Sequence, residues 1–316
     1  MLKSLHSALF AIVALTLFGV NSAEAAPAFK LADNDRVVLL GDTFFERAQR
    51  YGWLETAVQL QFPKENVQFR NLGWSGDTVF AESRGIFDPP AKGYARMLEQ
   101  VRGLKPTVIM LNYGGNEAFN GPGYIDTFIK QYAKLLDDLS STKARLVLVS
   151  PLPLLNAGSP FPNPDKHNAV RKQFVAAVQQ LASDRSLHFV DMWAPIEEKL
   201  ERFPSKIITE EGVHLTNFGY RVVSTIFVQA LADNSTSTAP STDFGPSVAM
   251  LDVEDLRQTI VKKNRMYFYR WRPQNVTYLF LFRKHEQGNN AKEVDDFLPI
   301  ISRLEKQIFD LKVKPQ

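Results

Sequence analysis

The chain has no cysteine among its 316 residues. This absence excludes disulfides, cysteine nucleophiles, zinc held by thiolates and a lipid anchor on a cysteine. The core must therefore stabilise the fold without cross-links. Because 45% of the residues are hydrophobic, the apolar material suffices for one sizeable core and a small second unit.

The sequence also lacks the short motifs that hold metals and nucleotides. It contains neither His-x-x-x-His nor His-Glu-x-x-His, and its scattered aspartates form no calcium loop. No Gly-x-Gly-x-x-Gly follows a predicted strand, so a dinucleotide site is unsupported. We therefore expect no metal and no cofactor.

A concentration of charge of one sign is missing as well. The 37 lysines and arginines nearly balance the 34 acidic residues, the formal net charge is +3, and no basic block stands out. A nucleic-acid surface needs clustered basic residues. We therefore predict no nucleic-acid partner.

Long apolar runs are few, and the clearest of them lies near the start of the chain. The run "ALFAIVALTLFGV" follows Lys3 and precedes the small-x-small sequence Ala23-Glu24-Ala25. This is the pattern of a secretory signal peptide, and the run is too short for a comfortable transmembrane span. We expect a signal peptide over residues 1–25 and an exported protein, periplasmic or extracellular, with no integral membrane segment in the mature chain.

After this leader, strand-like and helix-like segments alternate along the chain. Strands that are continuously apolar and separated by helices indicate a parallel sheet covered on both faces, so the predicted fold class is α/β. The predicted strands are 36–40, 67–71, 107–114, 145–150 and 187–192, and the predicted helices are 44–61, 97–103, 124–139, 169–181 and 218–232.

The alternation stops at the segment "NSTSTAPSTDFGP", which is rich in small polar residues and proline. Such a composition indicates a linker or an irregular surface crossing. We predict one domain over residues 26–233, a linker over 234–246 and a mainly helical extension over 247–316. The extension is barely long enough to fold alone, so we expect it to pack on the first domain.

Polar motifs follow the predicted strands in an ordered series. "GDT" follows the first strand, "NLGWSGDT" the second and "GGNE" the third, and "EEGVHLTNFGY" leads into the helix over 218–232. The carboxyl ends of parallel strands are where a site belongs in such a sheet. Each motif is weak by itself, but four in order indicate a common site.

These motifs contain the residue types needed for acyl transfer. A hydroxyl nucleophile needs an imidazole to accept its proton and a carboxylate to orient that imidazole. Of the five histidines, His214 stands in a turn before a helix and is the best candidate base. Thr43 offers the hydroxyl, and Glu210 or Glu211 the carboxylate.

With these four blocks, residues 36–232 resemble the SGNH hydrolases, the GDSL-type esterases and lipases. Phrases such as "GDTFFERAQRYGWLET" and "RNLGWSGDT" resemble an exported bacterial subgroup. The resemblance implies a three-layer α/β/α flavodoxin-like fold. It also implies roles for particular residues: Thr43 as nucleophile, His214 as base, Glu211 as the carboxylate, and Gly76 (with Gly73 as an alternative) and Asn116 as oxyanion donors.

Two departures from that family pattern bear on activity. Thr43 replaces the usual serine, and its extra methyl group stiffens χ1 and crowds the turn. "TEEGVH" offers Glu210 and Glu211 where the family has one aspartate; spacing favours Glu211. Ser75 is a spare hydroxyl, but its place before Gly76 favours a role in shaping that loop.

The extension holds several basic side chains among aromatic residues. "MYFYRW" and "TYLFLF" are typical of packing aromatics, while Arg270 and Arg272 also suit a wall that binds a polar or anionic carbohydrate. The same cluster contains Asn275, Arg283, Lys284 and His285, and Glu46 and Arg47 could join it.

Together these features predict an exported esterase that cleaves carboxylic esters, such as acetyl esters on polysaccharides, through an acyl-enzyme. Its partner is then a small-molecule or polysaccharide ester. The alternative from another class is a catalytically weak or inactive carbohydrate-binding or envelope interaction protein that retains the pocket. Thr43 favours this alternative; the joint presence of Gly76, Asn116 and His214 favours the enzyme.

Overall fold

The computed structural model describes residues 29–232 and 250–313. The expected signal peptide, residues 1–25, and the expected linker, residues 234–246, lie outside the described residues. In the part of the chain that is described, no helix is both long and apolar enough to cross a membrane.

The centre of the fold is a parallel sheet of five strands in the order β2-β1-β3-β4-β5. Each predicted strand is present, with shifted ends. The strands are β1 (Arg36–Gly41), β2 (Gln68–Asn71), β3 (Val108–Asn112), β4 (Arg145–Val149) and β5 (His188–Val190).

Helices connect the strands and form the C-terminal segment. Short 3₁₀ turns occur between several of them. The helices are α1 (Thr43–Tyr51), α2 (Trp53–Gln61), α3 (Pro90–Gly103), α4 (Ile125–Leu139), α5 (Asp165–Asp184), α6 (Trp193–Leu200), α7 (Ser205–Ile208), α8 (Asn217–Ala232), α9 (Met250–Trp271), α10 (Val276–Leu279), α11 (Lys284–Gln287) and α12 (Phe297–Val313).

The sheet is buried on both faces because its side chains alternate between two apolar clusters. In β1, Val37 and Leu39 pack with α1, α2 and α8, whereas Val38 and Leu40 pack with α3, α4 and α5. This is the three-layer α/β/α arrangement, so the predicted fold class is confirmed. The C-terminal region is helical, as predicted.

The predicted single helix over 44–61 is wrong in one respect, since the chain breaks it at Gly52. Gly52 has a φ of +74° and ends α1, and α2 starts at the next residue. A Cβ at Gly52 would lie 2.8 Å from Val261 Cγ2 of α9. Glycine is required at the break for two reasons: the backbone there is left-handed, and the C-terminal segment packs closely against it.

The C-terminal helices α9 and α12 pack together, and α9 lies against α1, α2 and β2. Two buried lysines connect them to α2: Lys263 Nζ lies 2.8 Å from the Glu55 carboxylate, and Lys312 Nζ donates to Gln59 Oε1 at 2.6 Å. A buried charge is expensive unless it is paired or hydrogen-bonded. These contacts therefore hold the segment at a defined position on the sheet domain.

Candidate active site

The polar motifs meet at the carboxyl ends of β1, β2 and β3. Strand pairing sets Gly41 beside Asn112, and Leu39 beside Asn71. A Cβ on Gly41 would lie 2.5 Å from the Asn112 carbonyl oxygen, so β1 needs glycine where it ends. The chain then turns directly into α1.

Thr43 is the first residue of α1, and Asp42 caps that helix. The Asp42 Oδ1 accepts a hydrogen bond from the Phe44 N–H at 3.0 Å, which fixes the turn. Thr43 opens onto a cleft of about 50 Å³, which we call the Thr43 cleft. Its lining residues are Asp42, Thr43, Phe44, Arg47, Asn112, Asn116, Leu152, Pro153, Leu154, Leu155, Arg171, Gly212, Val213, His214, Leu215 and Tyr220.

Of the two candidate glycines, Gly76 is the one whose N–H is directed at Thr43. It has a φ of +72° and donates to Thr43 Oγ1 at 3.3 Å. The Gly73 N–H instead donates to Asn71 Oδ1 at 2.8 Å. A Cβ on Gly73 would lie 2.3 Å from Glu46 N, so Gly73 allows α1 to pack closely on this loop.

Asn116 lines the same cleft and is tied to the loop that carries Gly76. Its Nδ2 donates to the Asp77 carbonyl at 2.7 Å. The Asp77 carboxylate is buried, where Arg84 Nε contacts it at 2.6 Å and the Tyr113 hydroxyl donates to it at 3.1 Å. Burial raises the pKa of the Asp77 carboxyl, and Arg84 acts in the opposite direction. The loop is therefore anchored beneath the surface.

The two adjacent glutamates of "TEEGVH" have different partners. Glu211 Oε1 contacts His214 Nδ1 and also accepts from the His214 backbone N–H at 3.1 Å. Glu210 instead forms an ion pair with Arg47 at 3.0 Å. A carboxylate on Nδ1 leaves Nε2 free to act as a base. Among the described hydrogen bonds, none joins His214 to the Thr43 hydroxyl, although both side chains line the cleft.

A turn around Gly212 presents His214 to the cleft. Gly212 has a φ of +97°, and a Cβ there would lie 2.5 Å from the Leu155 carbonyl. Ligand atoms of Glu210, Glu211 and His214 lie within 4.8 Å of one another. However, the Glu210 carboxylate is already paired with Arg47, and the Glu211 carboxylate contacts the His214 imidazole. The group is therefore better suited to orienting a base than to holding a metal ion.

A buried charge cluster that borders the cleft was not predicted from the sequence. It consists of Asp42, Glu117 and Arg171, of which Arg171 is only 7% exposed. Gly115 makes room for it, since a Cβ there would lie 2.2 Å from Arg171 Nη2. Glu117 follows Asn116 in "GGNE", which gave a local hint, but Arg171 lies in α5 without any motif around it.

Burial shifts the titration of both carboxyls in this cluster. It raises the pKa of Asp42 to about 6, against the Phe44 N–H and the positive charge of Arg171. It raises the pKa of Glu117 to about 7, against hydrogen bonds from the Val79 and Gly114 N–H groups. Desolvation favours the neutral acid in each case.

Glu117→Gln is expected to flatten the pH dependence of the free energy of unfolding. The Glu117 pKa is about 7 in the folded protein and near the ordinary 4.5 in the unfolded chain, so the folded state holds the proton more tightly. Its stabilising contribution is therefore complete below about pH 4.5 and is lost as the pH rises through about 7. Glutamine does not titrate, so this loss disappears.

Urea unfolding at several pH values between about 5 and 8 measures this slope, which approaches roughly 1 kcal/mol per pH unit for one proton. Glu99→Gln, at an exposed position of α3, is the matched control and keeps the native slope. Equal slopes for the native protein and Glu117→Gln would contradict the expectation.

Neither of the two arginines expected to bind substrate lies among the residues that line the Thr43 cleft. Arg270 pairs with Asp295 at 2.8 Å. Arg272 pairs with Glu46 at 3.3 Å, and its guanidinium carbon lies 3.4 Å from the centre of the Trp74 ring. Both arginines thus already have partners within the protein.

Comparisons with solved structures find proteins of a similar fold. Axe2, an acetylxylan esterase from Geobacillus stearothermophilus, has a similar structure, with a TM-score of 0.52 and 18% identity over 65% of this chain and 98% of that chain. A gut microbial diltiazem-metabolizing enzyme is similar over 91% of this chain and 97% of its own, with a TM-score of 0.61 and 12% identity. At these identities the likeness concerns the fold.

A comparison with curated protein sequences finds no significant match. The model of the GDSL-like lipase/acylhydrolase family, in contrast, matches residues 39–222. This span includes the Gly41–Thr43 turn, the Gly76 loop, Asn116 and His214, and it is more than half of the chain. The chain therefore belongs to the GDSL-like lipase/acylhydrolase family.

Proposed function

We propose that this protein hydrolyses carboxylic esters through an acyl-enzyme, with Thr43 as the nucleophile. His214 removes the Thr43 proton while the hydroxyl oxygen attacks the ester carbonyl, and Glu211 orients the imidazole. The oxyanion accepts hydrogen bonds from the backbone N–H groups of Thr43 and Gly76 and from the Asn116 amide. His214 then protonates the departing alcohol.

Water completes the reaction. His214 removes a proton from a water molecule, whose oxygen attacks the Thr43 acyl ester. The second tetrahedral intermediate is held by the same donors. It collapses to release the carboxylic acid, and the proton on His214 returns to Thr43.

The observation that carries the proposal is the 3.3 Å hydrogen bond from the Gly76 N–H to Thr43 Oγ1. It sets a backbone donor beside the hydroxyl at the turn between β1 and α1, which is the proposed nucleophile. Asn116 and His214 line the same cleft. A donor, a hydroxyl and a carboxylate-bound imidazole are the parts that acyl transfer requires.

The size of the cleft supports a short acyl group. A volume of about 50 Å³ has room for a few waters or an acetyl group, since one water needs about 10–15 Å³ on such a measure. A fatty acyl chain would have to extend beyond this cleft. We therefore propose acetyl esters rather than lipids as the substrates.

Aromatic rings near the cleft support a sugar as the alcohol. Phe119 is 63% exposed, and its ring stacks on His167 with centroids 4.0 Å apart. Phe119 lies one 3₁₀ turn after Asn116, and His167 lies one turn before Arg171 on α5. Both partners thus neighbour residues of the cleft. An exposed flat ring there suits stacking against a sugar ring, and we propose acetylated saccharides.

Export through the residue 1–25 signal peptide is part of the proposal. It rests on Lys3, the apolar run and Ala23-Glu24-Ala25. An acetylated polysaccharide outside the cytoplasm is a substrate that an exported esterase can reach.

The second candidate function is a carbohydrate-binding protein that retains the hydrolase pocket without turnover. The Thr43 methyl group favours it, because the branched side chain has a restricted χ1. A misplaced reactive group costs about 10²-fold in rate. Thr43→Ser removes that methyl group and keeps the hydroxyl.

Hydrolysis of aryl acetates and acetylated xylo-oligosaccharides by the mature protein tests the proposal. We expect acetate to be cleaved in preference to octanoate, and Thr43→Ser to raise kcat by up to about 10²-fold. Ser75→Ala, which removes the neighbouring spare hydroxyl, should leave the rate near the native value. No turnover by the native protein with recovery in Thr43→Ser would favour the binding protein, and no turnover by either would refute the hydrolase.

A further inference from the structure

The loop that carries the Gly76 N–H contacts the C-terminal segment. Trp74, Ser75 and Gly76 follow β2, and the loop is anchored from below by the Asp77–Arg84 ion pair. Trp74 of this loop contacts Arg272, the residue that directly follows α9. Residues from two distant parts of the chain thus determine the position of one loop.

Arg272 reaches this loop in two ways. Its guanidinium lies on the Trp74 ring, 3.4 Å from the ring centre, and Trp271 packs edge-on against the same ring at 6.0 Å. Its Nη1 donates to Glu46 Oε1 at 3.3 Å. A planar guanidinium can stack on a ring and bond a carboxylate at the same time, which lysine cannot do.

Glu46 transmits this contact to the backbone beside Gly76. Its other carboxylate oxygen accepts the Ser75 N–H. Glu46 itself lies in the first turn of α1, three residues after Thr43, and is 7% exposed. One buried carboxylate therefore links Arg272, the helix that begins at Thr43 and the amide that precedes Gly76.

We infer that the C-terminal segment is part of the active site, because Arg272 acts through Glu46 and Trp74 to position the Gly76 N–H toward Thr43. In this role Arg272 is a positioning residue and does not touch the substrate. The kinetic part of the inference rests on the proposed ester hydrolysis. It is an alternative to the sequence-based hypothesis that Arg272 binds a polar or anionic carbohydrate.

The test compares Arg272→Ala and Arg272→Lys with Arg265→Ala, a control at an exposed position of α9. Amide hydrogen exchange over residues 73–78 is measured first, because it needs no activity. Arg272→Ala is expected to speed exchange of the Ser75 and Gly76 amides by roughly tenfold or more while the core strands keep their protection.

Kinetics on an aryl acetate give the second readout. Arg272→Ala should lower kcat by roughly ten- to hundredfold with KM little changed, because the displaced donor serves the transition state. Arg272→Lys keeps the charge opposite Glu46 but loses the stacking, so an intermediate kcat is expected. Arg265→Ala should match the native protein in both readouts.

Three results would overturn the inference. They are unchanged exchange over residues 73–78, a raised KM with native kcat, and faster exchange throughout the sheet. The second would make Arg272 a substrate-binding group, and the third would make it a general stabiliser. If the native protein hydrolyses no ester, the proposed function fails, and the exchange measurement alone decides the role of Arg272.

Discussion

His214→Ala and Thr43→Ala are each expected to lower kcat for an aryl acetate by about 10³-fold or more. In the proposed mechanism the imidazole and the hydroxyl act as one unit, since the hydroxyl is a poor nucleophile until His214 Nε2 accepts its proton. The proposed oxyanion donors, the Gly76 N–H and the Asn116 amide, remain in either variant and would account for the residual rate. The double variant should therefore be no slower than either single variant.

The chain offers matched controls for these changes. His285→Ala removes a largely exposed histidine of the C-terminal segment, and Thr127→Ala removes an exposed threonine of α4. Both should keep the native kcat. A native rate in His214→Ala would exclude His214 as the base.

The two glutamates provide a further discrimination within the same assay. Glu211→Gln should lower kcat by about 10²-fold or more, because the amide no longer stabilises the protonated imidazole. Glu210→Gln changes the ion pair with Arg47 and should have a much smaller effect. The reverse order would assign the orienting carboxylate to Glu210.

Lys263→Ala is expected to lower the free energy of unfolding by about 3–5 kcal/mol. Lys263 is fully buried in α9, and its Nζ contacts both Glu55 carboxylate oxygens at 2.8 Å and the Phe69 carbonyl at 3.3 Å. Without it, the Glu55 carboxylate is left in the interior, and Asn264 is its one remaining side-chain donor among the described residues. An uncompensated buried charge is the costly species.

Urea unfolding of the variant against Lys262→Ala measures the effect, since Lys262 is the exposed neighbour on the same helix. The double variant Glu55→Gln/Lys263→Met removes both charges and should recover much of the lost stability. A loss under about 1 kcal/mol in Lys263→Ala would show that water reaches Glu55 and that α9 is only loosely seated.

The sequence predicted those parts of the site that a local pattern encodes. Gly76, Asn116 and His214 each belong to a short motif next to a strand or a helix, and strand order brings such motifs to one edge of a parallel sheet. The choice between Glu210 and Glu211 could only be guessed from spacing. In the structure Glu210 forms an ion pair with Arg47, which is far away in the sequence.

Other features carried no local signal at all. Arg171 is a buried residue that lines the cleft, although the sequence around it is that of an ordinary helix. The break at Gly52 was missed because helical periodicity continues across it, and the α9 side chains that occupy the space lie about two hundred residues later. The ion pair of Arg272 with Glu46 likewise depends on packing, since the two residues lie far apart in the sequence; substrate binding by Arg272 stays a prediction.

The sequence by itself determined the layering of the fold and the positions of the motifs. Apolar periodicity reports which residues avoid water, and glycine, histidine and asparagine in turns report local backbone and chemical demands. Only the tertiary structure decided which acidic side chain pairs with which basic one. The pairs are Glu211 with His214, Glu210 with Arg47, Glu46 with Arg272 and Glu55 with Lys263. The physical reason is that an ion pair is selected by distance and burial after packing, and neither quantity is encoded in local sequence.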